Sequence, residues 1–169
     1  MNTRRTFQKD ICRRLAKLGY FAITLVAYLE KQPKANAAQL GITGMCRGGR
    51  TVWMYTAHNP KIKAGVALYG GLNATPPAMP QTPNDIAGML HGPVLGLYGG
   101  ADASIPLSEV ARLQELLKSG NKNSKASSFV LFPGVGHAFH ADYRSSYNQD
   151  AAEAGWAAML NWFKTHGVV

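Results

Sequence analysis

The stretch Leu40-Gly-Ile-Thr-Gly-Met-Cys-Arg-Gly-Gly-Arg50 passes from a short apolar strand into a glycine-rich turn. A helix follows, over about Gly48 to Ala57. The same alternation repeats downstream. Ala64–Tyr69, Val94–Tyr98 and Ser127–Phe132 read as short buried strands. Between them, Ser108–Ser119 puts Val110, Leu113 and Leu117 on one helical face, with Gly120 as its stop. Ala151–His166 turns Ala152, Trp156, Met159 and Phe163 inward, and a weaker helical segment spans Asp85–Leu90. Residues 71–83 form a proline-rich loop. Upstream, Phe7, Ile11, Leu15 and Leu18 make one apolar stripe ended by Gly19, and Phe21–Val26 reads as a further strand. Strands alternating with helices predict an α/β fold: a mostly parallel sheet of about five strands, with helices on both faces. Functional loops in such folds sit at the carboxyl ends of the strands. One connection is short. Only thirteen residues, Pro33 among them, separate Val26 from Leu40, close to the minimum of about a dozen for a crossover.

Composition agrees with a folded chain. Of 169 residues, 46% are hydrophobic and 16% charged, enough apolar material for one domain over residues 1–169. Global disorder is excluded. The longest apolar run, Tyr20–Leu29, is about half the roughly 20 residues a spanning helix needs. Two cysteines are too few for a disulfide scaffold, and no Cys/His spacing matches a structural zinc site. The net charge of +9 is local. Residues 1–50 hold ten Lys/Arg against two acids, and the rest hold eight against seven. No aromatic residues interleave with the basic ones, so nucleic acid is not an expected partner.

Three loops after strands carry residues of catalytic type. Gly44-Met45-Cys46-Arg47-Gly48 has the spacing of a strand–turn–helix elbow with a cysteine at its tip. By itself it is equally a small buried cysteine in a tight turn. Asp102, after Gly99-Gly100-Ala101, is an acid that could orient an imidazole, or a turn or cap residue. His137, after Gly134-Val135-Gly136, is a general base or a surface histidine. Together they stand in the order nucleophile, acid, base, each after a successive strand, which is the α/β-hydrolase order. The expectation is a Cys46–His137–Asp102 triad, with the N–H of Arg47 donating to an oxyanion. Tyr69, His140, Tyr143 and Arg144 are expected to line the mouth and bind substrate. Arg47 and Arg144 are candidates to grip a carboxylate.

Gly-Ile-Thr-Gly-Met-Cys-Arg-Gly-Gly-Arg (41–50), Leu-Tyr-Gly-Gly-Ala-Asp (97–102) and Gly-His-Ala-Phe-His-Ala-Asp-Tyr-Arg (136–144) resemble the dienelactone hydrolase (carboxymethylenebutenolidase) family. Residues 12–23 and the pattern of Trp156, Trp162 and Phe163 extend the resemblance from about Ile11 onward. It implies a truncated α/β-hydrolase fold and a hydrolase with no metal and no cofactor that opens an enol-lactone or cleaves a small ester. Cys46 would attack the carbonyl, an acyl-thioester would form, and His137 held by Asp102 would manage the protons. Against the family pattern, strands ahead of the first helix are missing. With them go a loop supplying a second oxyanion N–H and a Glu that activates the cysteine. A helical segment carrying a substrate-gripping Arg is missing between the strands at 21–26 and 40–44. Thr24-Leu25-Val26 replaces the usual small residue, Pro and acid, and Arg47 stands where an aromatic residue is usual.

The alternative is a catalytically idle truncated domain, an interaction module or gene fragment whose bare sheet edge pairs with another chain. A thiol redox protein is disfavoured, because Cys12 and Cys46 form no C-x-x-C pair. Cys12 reads as a helix-packing residue. The expected assembly is a monomer or an edge-completing homodimer. Thr3-Arg4-Arg5-Thr6-Phe7-Gln8-Lys9 resembles a twin-arginine export motif. The helix–strand reading explains more of the same residues, and a cytoplasmic protein with no membrane partner is expected.

Overall fold

The computed structural model describes residues 36–73 and 81–168. The helix expected over 7–18, the strand at 21–26, Cys12 and the arginine pair lie outside them. Among the described residues the sheet has four parallel strands in the order β1-β2-β3-β4. These are β1 (Leu40–Met45), β2 (Ile62–Leu68), β3 (Val94–Gly99) and β4 (Ser128–Phe132). Four helices accompany them: α1 (Arg47–His58), α2 (Leu107–Lys118), α3 (Lys122–Lys125) and α4 (Gln149–Thr165). One expectation is corrected: the helix expected over 85–90 is a turn ending in a 3-10 segment, Ala87–Met89. Four of the about five expected strands fall on described residues.

Small residues set how closely the helices seat. Gly65 pairs with Ile42 on one side of the sheet, while the adjacent register pair Gly41–Ala64 points to the other. A Cβ on Gly65 would meet Val52 of α1 at 2.7 Å, and one on Gly41 would meet Val168 at 2.7 Å and Phe163 of α4 at 3.2 Å. So α1 and α4 cover opposite faces. β2 and β3 lie inside the sheet and are almost wholly buried, which is why they read as continuous apolar runs. Each helix buries the stripe that its 3.6-residue periodicity marks. Val110, Leu113 and Leu117 of α2 are buried, as are Ala152, Met159 and Phe163 of α4, with Trp156 half-buried.

The α1 face holds an aromatic cluster with one polar thread. Gly96 leaves room for Phe129, which stacks on Trp53 at 5.5 Å and tilts against Tyr98 at 5.8 Å. Trp53 Nε1 donates to the Tyr98 hydroxyl at 3.1 Å, and that hydroxyl donates to Gly70 O at 3.0 Å. Burial raises the Tyr98 pKa, so the group stays a neutral donor. No described helix is long and apolar enough to cross a membrane.

Replacing Tyr98 by Phe leaves the Trp53 donor and the Gly70 acceptor without their partner. It should cost about 1–3 kcal/mol, read as a lower urea midpoint at an unchanged m-value. A second prediction concerns pH. His166 packs on Trp162 at 4.4 Å, and burial holds its imidazole below the ordinary value. The unfolded chain then takes up that proton first, so stability falls as pH drops through about 6.5. His166→Phe should lose less of its urea midpoint than the wild type between pH 7.5 and 5.5.

Candidate active site

The strand–turn–helix elbow forms as the glycine spacing requires. Cys46 is the N-cap of α1 with φ 55° and ψ −119°, a backbone region that non-glycine residues rarely occupy. Close approach of chain to chain forces it there. A Cβ on Gly44 would lie 2.5 Å from the Gly48 carbonyl, and one on Gly49 would lie 2.5 Å from Leu68 O. The Cys46 N–H donates to Leu68 O at 3.0 Å, tying the turn to the end of β2.

The loops after β3 and β4 are joined backbone to backbone. Gly100 N–H donates to Phe132 O at 2.8 Å, and Ala101 N–H donates to Val135 O at 2.9 Å. Gly99 permits this contact, since a Cβ there would sit 2.3 Å from Val135 O. The seam brings Asp102 against His137. His137 Nδ1 donates to Asp102 Oδ2 at 2.6 Å; the carboxylate side chain is 1% exposed and the imidazole 31%. A hydrogen on Nδ1 leaves the lone pair of the neutral ring on Nε2. The other carboxylate oxygen, Oδ1, accepts the Ser104 N–H at 2.9 Å and the Ser104 hydroxyl at 2.6 Å. Ser104 Oγ also lies 3.3 Å from His137 Nδ1. The result is a triad-like Ser104–His137–Asp102 network.

This corrects the expected Cys46–His137–Asp102 triad. Cys46 is exposed and forms no hydrogen bond with His137. The imidazole's polar partners among the described residues are Asp102 and Ser104. The cysteine-nucleophile chemistry and the acyl-thioester are therefore not supported. Sequence reasoning missed Ser104. Its signal was the Asp-x-Ser spacing, in which the carboxylate bonds the backbone N–H two residues on.

The remaining expected residues divide. Tyr69, just past β2 with φ 37°, is buried and meets the His137 ring edge-on at 5.0 Å and Phe139 at 5.2 Å. Burial chiefly raises the Tyr69 pKa; the Cys46 and Tyr143 charges add to this and Arg144 opposes it. Those three groups therefore lie within electrostatic reach of Tyr69. His140 is buried and lines a small apolar cleft with Thr43, Met45, Trp156 and Met159. Tyr143 is exposed, with the Arg144 guanidinium 5.9 Å over its ring. Arg47 is exposed at the first position of α1. Arg50, which the sequence reading did not single out, is buried instead. It donates to Gly71 O at 3.2 Å, Asn73 O at 3.0 Å and Gln81 O at 2.7 Å, so it fastens the chain that leaves Tyr69. Burial lowers the Arg50 pKa, with Asp85 opposing. Among the described residues no group of three or more His, Cys, Asp or Glu is placed to hold a metal ion.

The dienelactone hydrolase family model matches residues 23–167. The "Putative carboxymethylenebutenolidase" of Methylorubrum extorquens is 42% identical over 199 aligned positions, covering 95% of this chain and 67% of that protein. Those 199 positions take in 95% of a 169-residue chain, so the relative carries about forty further residues inside the matched span. Its namesake in Escherichia coli K12 is 39% identical, covering 94% of this chain and 72% of that one. The crystal structure of a "Putative Dienelactone Hydrolase" from Klebsiella pneumoniae superposes with a TM-score of 0.77 at 45% identity. It covers 82% of this chain, which spans 57% of that one.

The elbow yields a paired prediction. Gly49→Ala drives a Cβ into the Leu68 carbonyl and should destabilise by about 1–3 kcal/mol. Gly48→Ala, one residue earlier with no atom within 4 Å of its Cβ, should instead stabilise by up to about 1 kcal/mol. Thermal melts of the two variants check the sign of each.

Proposed function

The chain belongs to the dienelactone hydrolase family, and from that premise we propose that it is a carboxylic-ester hydrolase acting on a lactone or small ester. One observation carries the reading: the 2.6 Å bond between the buried Asp102 carboxylate and His137 Nδ1, on two loops at the carboxyl ends of adjacent strands. Asp102 orients the imidazole and favours its protonated form as it takes up charge. His137 Nε2 accepts the proton of the group attacking the ester carbonyl and returns it to the leaving oxygen. The N–H of Arg47, at the start of α1, donates to the developing oxyanion, where the positive end of the helix dipole adds to it. Tyr69, beside the imidazole, and Tyr143 with Arg144 contact the substrate; Arg144 offers a guanidinium for a substrate carboxylate. His140 takes part from the neighbouring cleft. The chemistry needs no cofactor. An exposed free thiol at Cys46 suits a reducing compartment, so we assign the chain to the cytoplasm.

The test is hydrolysis of a dienelactone and of an activated phenyl ester by the purified chain, with His137→Ala and Asp102→Asn beside it. His137→Ala should fall to background. Asp102→Asn should lose about 100- to 10,000-fold, the upper figure being the loss known for the equivalent change in a serine protease. Turnover equal in all three proteins would defeat the hydrolase reading and favour an idle domain that acts by interaction.

A further inference from the structure

We infer that Ser104 is a positioning residue of this site: its hydroxyl sets how much of the Asp102 charge His137 feels. The inference rests on the hydrolase reading only for the rate it predicts. Its structural basis is independent. The side chain of Asp102 is buried to 1% exposure, so its two oxygens must find donors within the protein. Oδ2 takes the imidazole. Oδ1 takes two donors from a single residue, the Ser104 N–H and the Ser104 hydroxyl, and the 2.6 Å hydroxyl bond is the shorter.

The geometry excludes Ser104 from the role of attacking group. Its hydroxyl hydrogen is committed to Asp102. Its only approach to the imidazole, 3.3 Å, is to Nδ1, the nitrogen whose hydrogen points at Asp102. The basic nitrogen is Nε2, on the other side of the ring. A serine on the acid's side of the imidazole can tune the pair but cannot hand it a proton.

The direction of the tuning follows. A hydroxyl donated to a carboxylate draws off part of its charge. Without it, Asp102 presents more negative charge to Nδ1, which favours the imidazolium. The Ser104 oxygen near Nδ1 also favours the imidazolium, but at 3.3 Å against 2.6 Å it is the weaker influence. Removing the hydroxyl therefore favours the imidazolium. Of the other titratable groups, Tyr69 meets the imidazole edge-on and burial keeps it neutral, and Cys46, Tyr143 and Arg144 lie within electrostatic reach of Tyr69. The substitution touches none of these.

The experiment is an NMR titration of the His137 ring nitrogens in the wild type, Ser104→Ala and Ser104→Thr, with the pH profile of ester kcat/KM measured beside it. Ser104→Ala should move the ring-nitrogen titration and the acid limb of the profile together to higher pH. It should keep measurable turnover, about three- to tenfold reduced near neutral pH. Ser104→Thr, which retains the hydroxyl, should return the titration to the wild-type value. A ring-nitrogen titration that stays in place or moves to lower pH in Ser104→Ala overturns the inference. Turnover at background in Ser104→Ala, with His137 still titrating as a folded site, also overturns it, because it would make Ser104 the attacking group. If the wild type itself has no turnover, the hydrolase reading fails, while the titration still decides the role of Ser104.

Discussion

Everything at the candidate site depends on the seam between the loops that follow β3 and β4. Two backbone hydrogen bonds, Gly100 to Phe132 and Ala101 to Val135, hold those loops together where Gly99 carries no side chain to part them. The seam buries the Asp102 carboxylate and leaves His137 part exposed above it. A buried carboxylate without donors would be costly by several kcal/mol, so the same closure that buries Asp102 obliges the protein to supply the imidazole and Ser104. The pair is thus a consequence of the seam as much as an attachment to it.

A second set of contacts fixes the floor beneath Tyr69. The Trp53–Tyr98–Gly70 thread and the three Arg50 bonds to the carbonyls of Gly71, Asn73 and Gln81 all act on the chain just after β2. Tyr69 itself sits at a positive φ and presses its ring on His137. Such a conformation persists only where surrounding contacts outweigh its local cost, of order 1–3 kcal/mol. The buried guanidinium and the aromatic thread are those contacts. Helix α1 therefore serves the site twice: its first turn forms the elbow, and Arg50 and Trp53 brace the neighbouring loop from below.

Where the chain's own periodicity was the signal, reading it was sufficient. The stripes Val110, Leu113, Leu117 and Ala152, Met159, Phe163 are the buried faces of their helices, and the apolar runs at 64–69 and 94–98 are the inner strands of the sheet. The segment 85–90 was less legible. Its apolar residues Ile86, Ala87 and Leu90 are buried as a helix would bury them, yet the backbone makes only a 3-10 turn, because burial there comes from packing against other elements and not from a regular stripe. At the site, motif order identified Asp102 and His137 as neighbours. It also implied that Cys46 completes the set, and there it failed. A motif specifies the backbone turn, and the turn is present at φ 55°, but which side chains engage the imidazole depends on distances between separate loops.

By itself, the sequence determined the alternation of strands and helices, the buried faces, the tight elbow at Gly44–Gly48 and the placing of an acid and a histidine on adjacent loops. These follow from local causes: side-chain periodicity, glycine at points of close approach, and chain order. Only the tertiary structure decided that Ser104, and not Cys46, joins Asp102 and His137, that Arg50 turns inward to hold carbonyls 21 to 31 residues away, and that His140 lines an apolar cleft with Met45 and Trp156. Those outcomes depend on which segments meet in space. Hydrogen bonds of this kind select their partners to within a few tenths of an ångström, a precision that residue spacing along the chain does not carry.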